Sequence, residues 1–146
     1  MRTNSMNLSK MIARRTWLFA TACATLGLAL GSAHAATPVV EIIAFAHPPV
    51  QTALKSLRES LAKQGPKLRV VEIDMESPQA EKRLLAVGLK GHLPIVILID
   101  GRYRHQRADG SHVEFVSFPA GPGTPAGVKG GWSAADVEAV LKARQP

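Results

Sequence analysis

Five consecutive apolar residues, Ile95-Val96-Ile97-Leu98-Ile99, constrain the fold of this 146-residue chain more than any other stretch. Side chains on a strand alternate between the two faces of a sheet, so a strand that is apolar at every position must be covered on both. The rest of the chain therefore has to supply a layer above the sheet and another below it.

The N-terminal third is unsuited to that task. Arg2, Lys10, Arg14 and Arg15 precede an apolar run from Trp17 to Gly31, followed by Ala33-His34-Ala35 before Ala36. This is the three-part order of a secretory signal peptide with a small-x-small cleavage site, and residues 1–35 are expected to be removed on export. A run of about 15 residues falls short of the roughly 20 that span a bilayer, so no stable membrane span is expected after cleavage. A Sec-type signal is the favoured reading. Arg14-Arg15-Thr16-Trp17-Leu18 also resembles a twin-arginine signal, the alternative export route. Ala20-Thr21-Ala22-Cys23 faintly resembles a lipoprotein acylation site, but too little apolar sequence precedes it. The expected location is periplasmic or secreted.

Removal of this segment changes the charge argument. It holds four of the 18 Lys and Arg and none of the 11 Asp and Glu, leaving 14 against 11, a net of +3. Nucleic-acid binding requires a clustered basic face as well as a high pI, and no such partner is expected. The single cysteine, Cys23, leaves with the signal, so the exported chain has no disulfide and depends on its core. Residues 36–146 suffice for one domain.

Strand and helix signals alternate along that domain. Val39 to Phe45 reads as a buried strand. Pro48 and Pro49 suit a first helical turn, and Val50, Leu54, Leu57 and Leu61 then recur at helical spacing until Gly65-Pro66. Leu68 to Met75 reads as a second strand. Ser77-Pro78 reads as the cap of a second helix presenting Ala80, Leu84, Val87 and Leu85, which ends near Gly88 to Gly91. After Ile95–Ile99, the Asp100-Gly101 and Ala108-Asp109-Gly110-Ser111 turns make 102–107 and 112–118 candidate antiparallel strands. Residues 119–131, with three prolines and five glycines, read as a loop, and Ser133-x-x-Asp136 as a capping box for a last helix carrying Val137, Val140 and Leu141. The expected class is α/β: βαβα, then antiparallel ββ(β) and a C-terminal helix, around a central mixed sheet in three layers.

This order resembles the thioredoxin fold, and two motifs sharpen the resemblance. Val39 to Val50, V-V-E-I-I-A-F-A-H-P-P-V, looks like the first strand and active-site turn of disulfide oxidoreductases, with His47 and Val50 at the two cysteine positions. His92-Leu93-Pro94 before the apolar strand looks like the family's cis-proline loop. The resemblance covers nearly all of residues 36–146, with 111–132 longer than the family core requires.

The resemblance implies a site without its chemistry. Thiol-disulfide exchange needs a thiolate and a resolving thiol, and His47-Pro48-Pro49-Val50 supplies neither. What the fold implies at this position is a helix start, whose free N–H groups favour an anion. His47 and His92 would face one pocket, and two imidazoles are candidate metal ligands, although no third ligand is evident at metal-site spacing. The plainer reading makes His47 a helix-start residue of a vestigial site.

Two further stretches stand out. Alternation puts Arg102, Arg104 and Gln106 on one strand face and Tyr103, His105 and Arg107 on the other, either an anion- or partner-binding edge or a charged edge that discourages unwanted pairing. The loop Gly127-Val128-Lys129-Gly130-Gly131 fails the spacing of a phosphate-binding P-loop. His112 and Glu114 share a face with no sign of a catalytic pair.

The sequence thus leads to an exported thioredoxin-like protein with a degenerate active site, needing no cofactor. A protein or peptide partner is expected on the face of His47, Pro48, Pro49, Val50, His92, Leu93, Pro94 and the 119–131 loop. The alternatives are a weak metal or small-ligand site at His47 and His92, and a non-redox enzyme with His47 as general base, for which no partner acid or nucleophile is evident.

Overall fold

The computed structural model describes residues 36–144. The expected signal peptide, its export route and its acylation alternative fall in residues 1–35, outside the described residues. Among the described residues no helix is long and apolar enough to cross a membrane.

Strand β1 (Val39–Ala44) is the centre of a mixed three-stranded sheet. It pairs in parallel with β2 (Arg69–Asp74) and antiparallel with β3 (Ile95–Ile99), Ile42 lying opposite Ile97. Every residue of β3 is buried, as its unbroken apolar run requires. A short hairpin follows, made of β4 (Arg104–Gln106) and β5 (His112–Glu114). Asp100 and Gly101, both at positive φ, turn the chain out of β3, and Ile99 bridges to Arg102 across them.

The expected strand 112–118 divides its pairing. Its first half faces β4, whereas the next residues return to β3: the Ile97 N–H donates to the Phe115 carbonyl and the Ser117 N–H to that of Ile95. The chain thereby extends the sheet on the β3 side while β5 itself stops at Glu114.

Helices cover both sheet faces. On one, Val40, Ile42, Ile95 and Ile97 pack against Val50, Leu57, Val137 and Leu141. These last come from α1 (Pro48–Ala53), α2 (Lys55–Lys63) and α4 (Ala134–Lys142). The single helix expected from Pro48 is two segments meeting at Leu54, although the Leu54 N–H still donates to the Val50 carbonyl and the Arg58 N–H to that of Leu54. On the other face, Ile43, Ile73, Val96 and Leu98 pack against Ala80 and Leu84 of α3 (Pro78–Ala86). Leu85, expected on that apolar stripe, instead turns outward and is 55% exposed.

The helix caps follow the sequence. The Ser77 hydroxyl accepts from the Ala80 N–H, and Ser133 and Asp136 form a reciprocal capping box. Arg107 reinforces that box through Nε, 2.7 Å from Asp136, and together with Ser133 it holds the Asp136 carboxyl below its ordinary pKa.

Candidate functional site

The site lies where β1 ends beside the segment entering β3. The Phe45 N–H donates to the Pro94 carbonyl at 3.3 Å, adding one step to the β1–β3 ladder beyond the Ala44–Ile95 pair. That step fixes the Phe45 ring next to residues 92–94. His47, three residues before Val50, begins the first turn of α1 with extended backbone and makes no side-chain cap.

The two histidines converge on one ring. Phe45 stacks on His47 with centroids 5.3 Å apart, and its centroid is 5.0 Å from that of His92. Both imidazoles are exposed while Phe45 is half-buried, so the cluster forms a lip at the sheet end. Gln51 steadies it: its side-chain amide donates to the Phe45 carbonyl at 2.6 Å.

At three points the site departs from what the sequence and its resemblance imply. Pro94 is not cis, since no cis peptide bond occurs among the described residues; its carbonyl continues an extended antiparallel ladder, in which a trans bond is the ordinary geometry. Val50 does not line the face but is fully buried in the core beneath α1. The helix start is also a poor anion cradle, because Pro48 and Pro49 remove two of its N–H groups and the Gln51 N–H is used by the His47 carbonyl.

Next to the lip runs an open groove of about 310 Å³ between α3 and the segment Leu89–Leu93. Phe45 and Met75 contribute to it from the ends of β1 and β2, Leu84 and Leu85 from the helix, and Leu89 and Leu93 from the returning segment. Glu81 lines the helix side, and Lys90 and His92 the segment side. Among the described residues, no hydrogen bond uses the N–H or C=O groups of Lys90, Gly91, His92 or Leu93.

No protein-family model, curated protein or solved structure matches the chain.

The 119–131 loop borders the same end of the molecule. Gly123, at φ +87°, sits so close to α1 that a Cβ there would fall 2.7 Å from the Thr52 carbonyl oxygen. Behind it the Trp132 indole N–H donates to the Ser117 carbonyl at 3.1 Å, and the ring meets Phe115 edge-on. His47, Pro48, Pro49, His92, Leu93 and Pro94 thus share one end of the domain with the loop.

Metal chemistry has a thin basis here. Among the described residues no group of three or more His, Cys, Asp or Glu side chains stands close enough to hold an ion. A buried histidine, His105, lies elsewhere: it is 8% exposed, stacks on Phe115 and donates from Nε2 to the Arg102 carbonyl at 2.9 Å. It therefore belongs to the packing of β4, while Arg104 and Gln106 face solvent as alternation requires. His112 and Glu114 are exposed, and Glu114 pairs with Arg104 across the hairpin at 3.4 Å.

Proposed function

We propose that this chain is an exported, thioredoxin-like protein without redox cysteines that binds an extended protein or peptide partner, with Phe45, His47, His92, Leu93 and Pro94 at the centre of the binding face. The strand order β2-β1-β3 continued by residues 115–117, the parallel β1–β2 pair and the antiparallel β3 support the thioredoxin-like reading. The order of charge, apolar run and Ala33-His34-Ala35 in the sequence supports export.

One observation carries the binding reading. The backbone of Lys90–Leu93 runs beside an apolar groove with its donors and acceptors uncommitted. An extended polypeptide satisfies both features at once, by pairing its main chain with that segment and lowering a side chain into the groove. The lip of Phe45, His47 and His92 then flanks the bound chain. Catalysis is not part of this reading.

The test is amide chemical-shift mapping of the isotopically labelled protein against a pool of extended peptides. Shifts concentrated at residues 45–52, 90–94 and 119–131 are expected. Shifts confined to other surfaces, or none at millimolar peptide, overturn the reading. A parallel titration with Zn(II) and Cu(II) separates the metal alternative: stoichiometric binding that disappears in His47→Ala would replace a partner site with a metal site.

A further inference from the structure

The groove beside the lip has walls of opposite charge, and this bears on what sort of chain it holds. Glu81 stands on the α3 wall, and Lys90 and His92 on the facing segment, none of them in a salt bridge among the described residues. Between them the floor is apolar, and Leu85 leaves more than half of its surface in water. Leu85 is the one large apolar side chain of α3 left exposed, its neighbour Leu84 being buried, and it is a surface awaiting cover.

Resting on the partner-binding reading above, we propose that the preferred occupant is an extended segment carrying an apolar anchor and, two residues away, an acidic side chain. The anchor fills the floor between Met75, Leu85 and Leu89, and the carboxylate meets Lys90. The spacing follows from strand geometry. Residues i and i+2 of an extended chain point to the same side, roughly 6.6 Å apart, so an anchor lowered into the groove brings the residue two places on to its rim. A basic residue there would face Lys90 and lose affinity by like-charge repulsion. The net charge of +3 over residues 36–146 also favours approach of an acidic segment.

The experiment uses the purified protein and three capped hexapeptides with a Ser/Thr background: one with Leu-x-Glu, one with Leu-x-Lys and one with Ser-x-Glu. Fluorescence anisotropy at low salt is expected to rank Leu-x-Glu first, about fivefold tighter than Leu-x-Lys, with Ser-x-Glu weakest. Lys90→Glu is expected to invert the order of the two leucine peptides, and Leu85→Ser to weaken both. Both changes sit on the surface, so folding is checked simply by circular dichroism. Equal binding of the Glu and Lys peptides, or an order unchanged in Lys90→Glu, overturns the acidic preference while leaving the binding face intact. Failure of all three peptides, together with an unresponsive shift map, overturns the binding reading as well.

Discussion

The guanidinium of Arg83, on α3, closes over the carboxylate of Glu41, on the central strand: Nε donates to one oxygen at 2.7 Å and a second N–H to the other. Glu41 is the one charged residue of β1, and its side chain is only 14% exposed. The pair lets a carboxylate sit under a helix in an otherwise apolar layer. Arg83→Ala strands that carboxylate and is expected to destabilise the fold by about 2 kcal/mol, below the value for a fully buried pair because Arg83 is itself 36% exposed. Glu41→Leu combined with Arg83→Met is expected to recover most of the loss. Urea unfolding of the natural protein and the two variants measures it.

His105 makes stability depend on pH near neutrality. Burial, the main influence, lowers its pKa from the ordinary imidazole value, with the Arg102 carbonyl opposing and Arg144 and Arg102 assisting. The unfolded chain therefore takes up a proton at a higher pH than the folded one. Stability is fully present above about pH 6.5 and falls as the pH drops from there toward the lower folded value. Unfolding midpoints at pH 7.5 and 5.5 should differ in the natural protein and converge in His105→Leu.

Asp136 acts in a more acidic range. Its pKa is lowered chiefly by the hydrogen bond from Arg107 and further by Ser133. Its contribution is present above the ordinary carboxylate value of about 3.9 and is lost as the pH falls through the folded value. Asp136→Asn should flatten the acid limb of the stability profile, and Ser133→Ala should cost about 1 kcal/mol near neutral pH by removing the cap, and less where Asp136 is protonated.

Trp132 anchors the end of the long loop, buried to 1% exposure. Trp132→Ala is expected to cost about 4 kcal/mol through the cavity it leaves. Trp132→Phe keeps the apolar contact with Phe115 but orphans the Ser117 carbonyl, at about 1 to 2 kcal/mol. Thermal unfolding distinguishes the two, and a Trp132→Phe variant as stable as the natural protein would show that the hydrogen bond contributes nothing.

Gly123→Ala probes whether the loop is seated on α1. A methyl group 2.7 Å from the Thr52 carbonyl, at positive φ, cannot be accommodated in place. The expected result is a displaced loop, read as amide shifts at Thr52 and its neighbours with little change in the sheet.

Elements set by local rules were legible before any coordinates. The unbroken apolar run of β3, the Asp100-Gly101 turn, the Ser77 cap and the Ser133–Asp136 box each depend on a few neighbouring residues, and each is found where it was expected. Features that depend on tertiary register were not. Leu85 fits a helical stripe as well as Leu84 does, and only the placement of Leu89–Leu93 alongside α3 leaves it uncovered. Strand alternation could put His105 opposite Arg104 but could not say which face Phe115 would cover. The candidate site was half visible. His47 and His92 were singled out by position, whereas Phe45, which joins them, looked like the last residue of a core strand. Its role emerges only from the extra ladder step to Pro94.

The Ala120 N–H donates to the Trp132 carbonyl, so the 119–131 loop is tied shut at its base, and Thr124 ties back to the Pro119 carbonyl within it. A closed base isolates the span in between from the sheet. Insertions or exchanges at residues 125–128 should leave folding almost untouched, because loop-closure entropy grows only slowly with length. The rim of the molecule can thus be rewritten independently of its scaffold, offering a place where recognition could diverge between descendants of one fold.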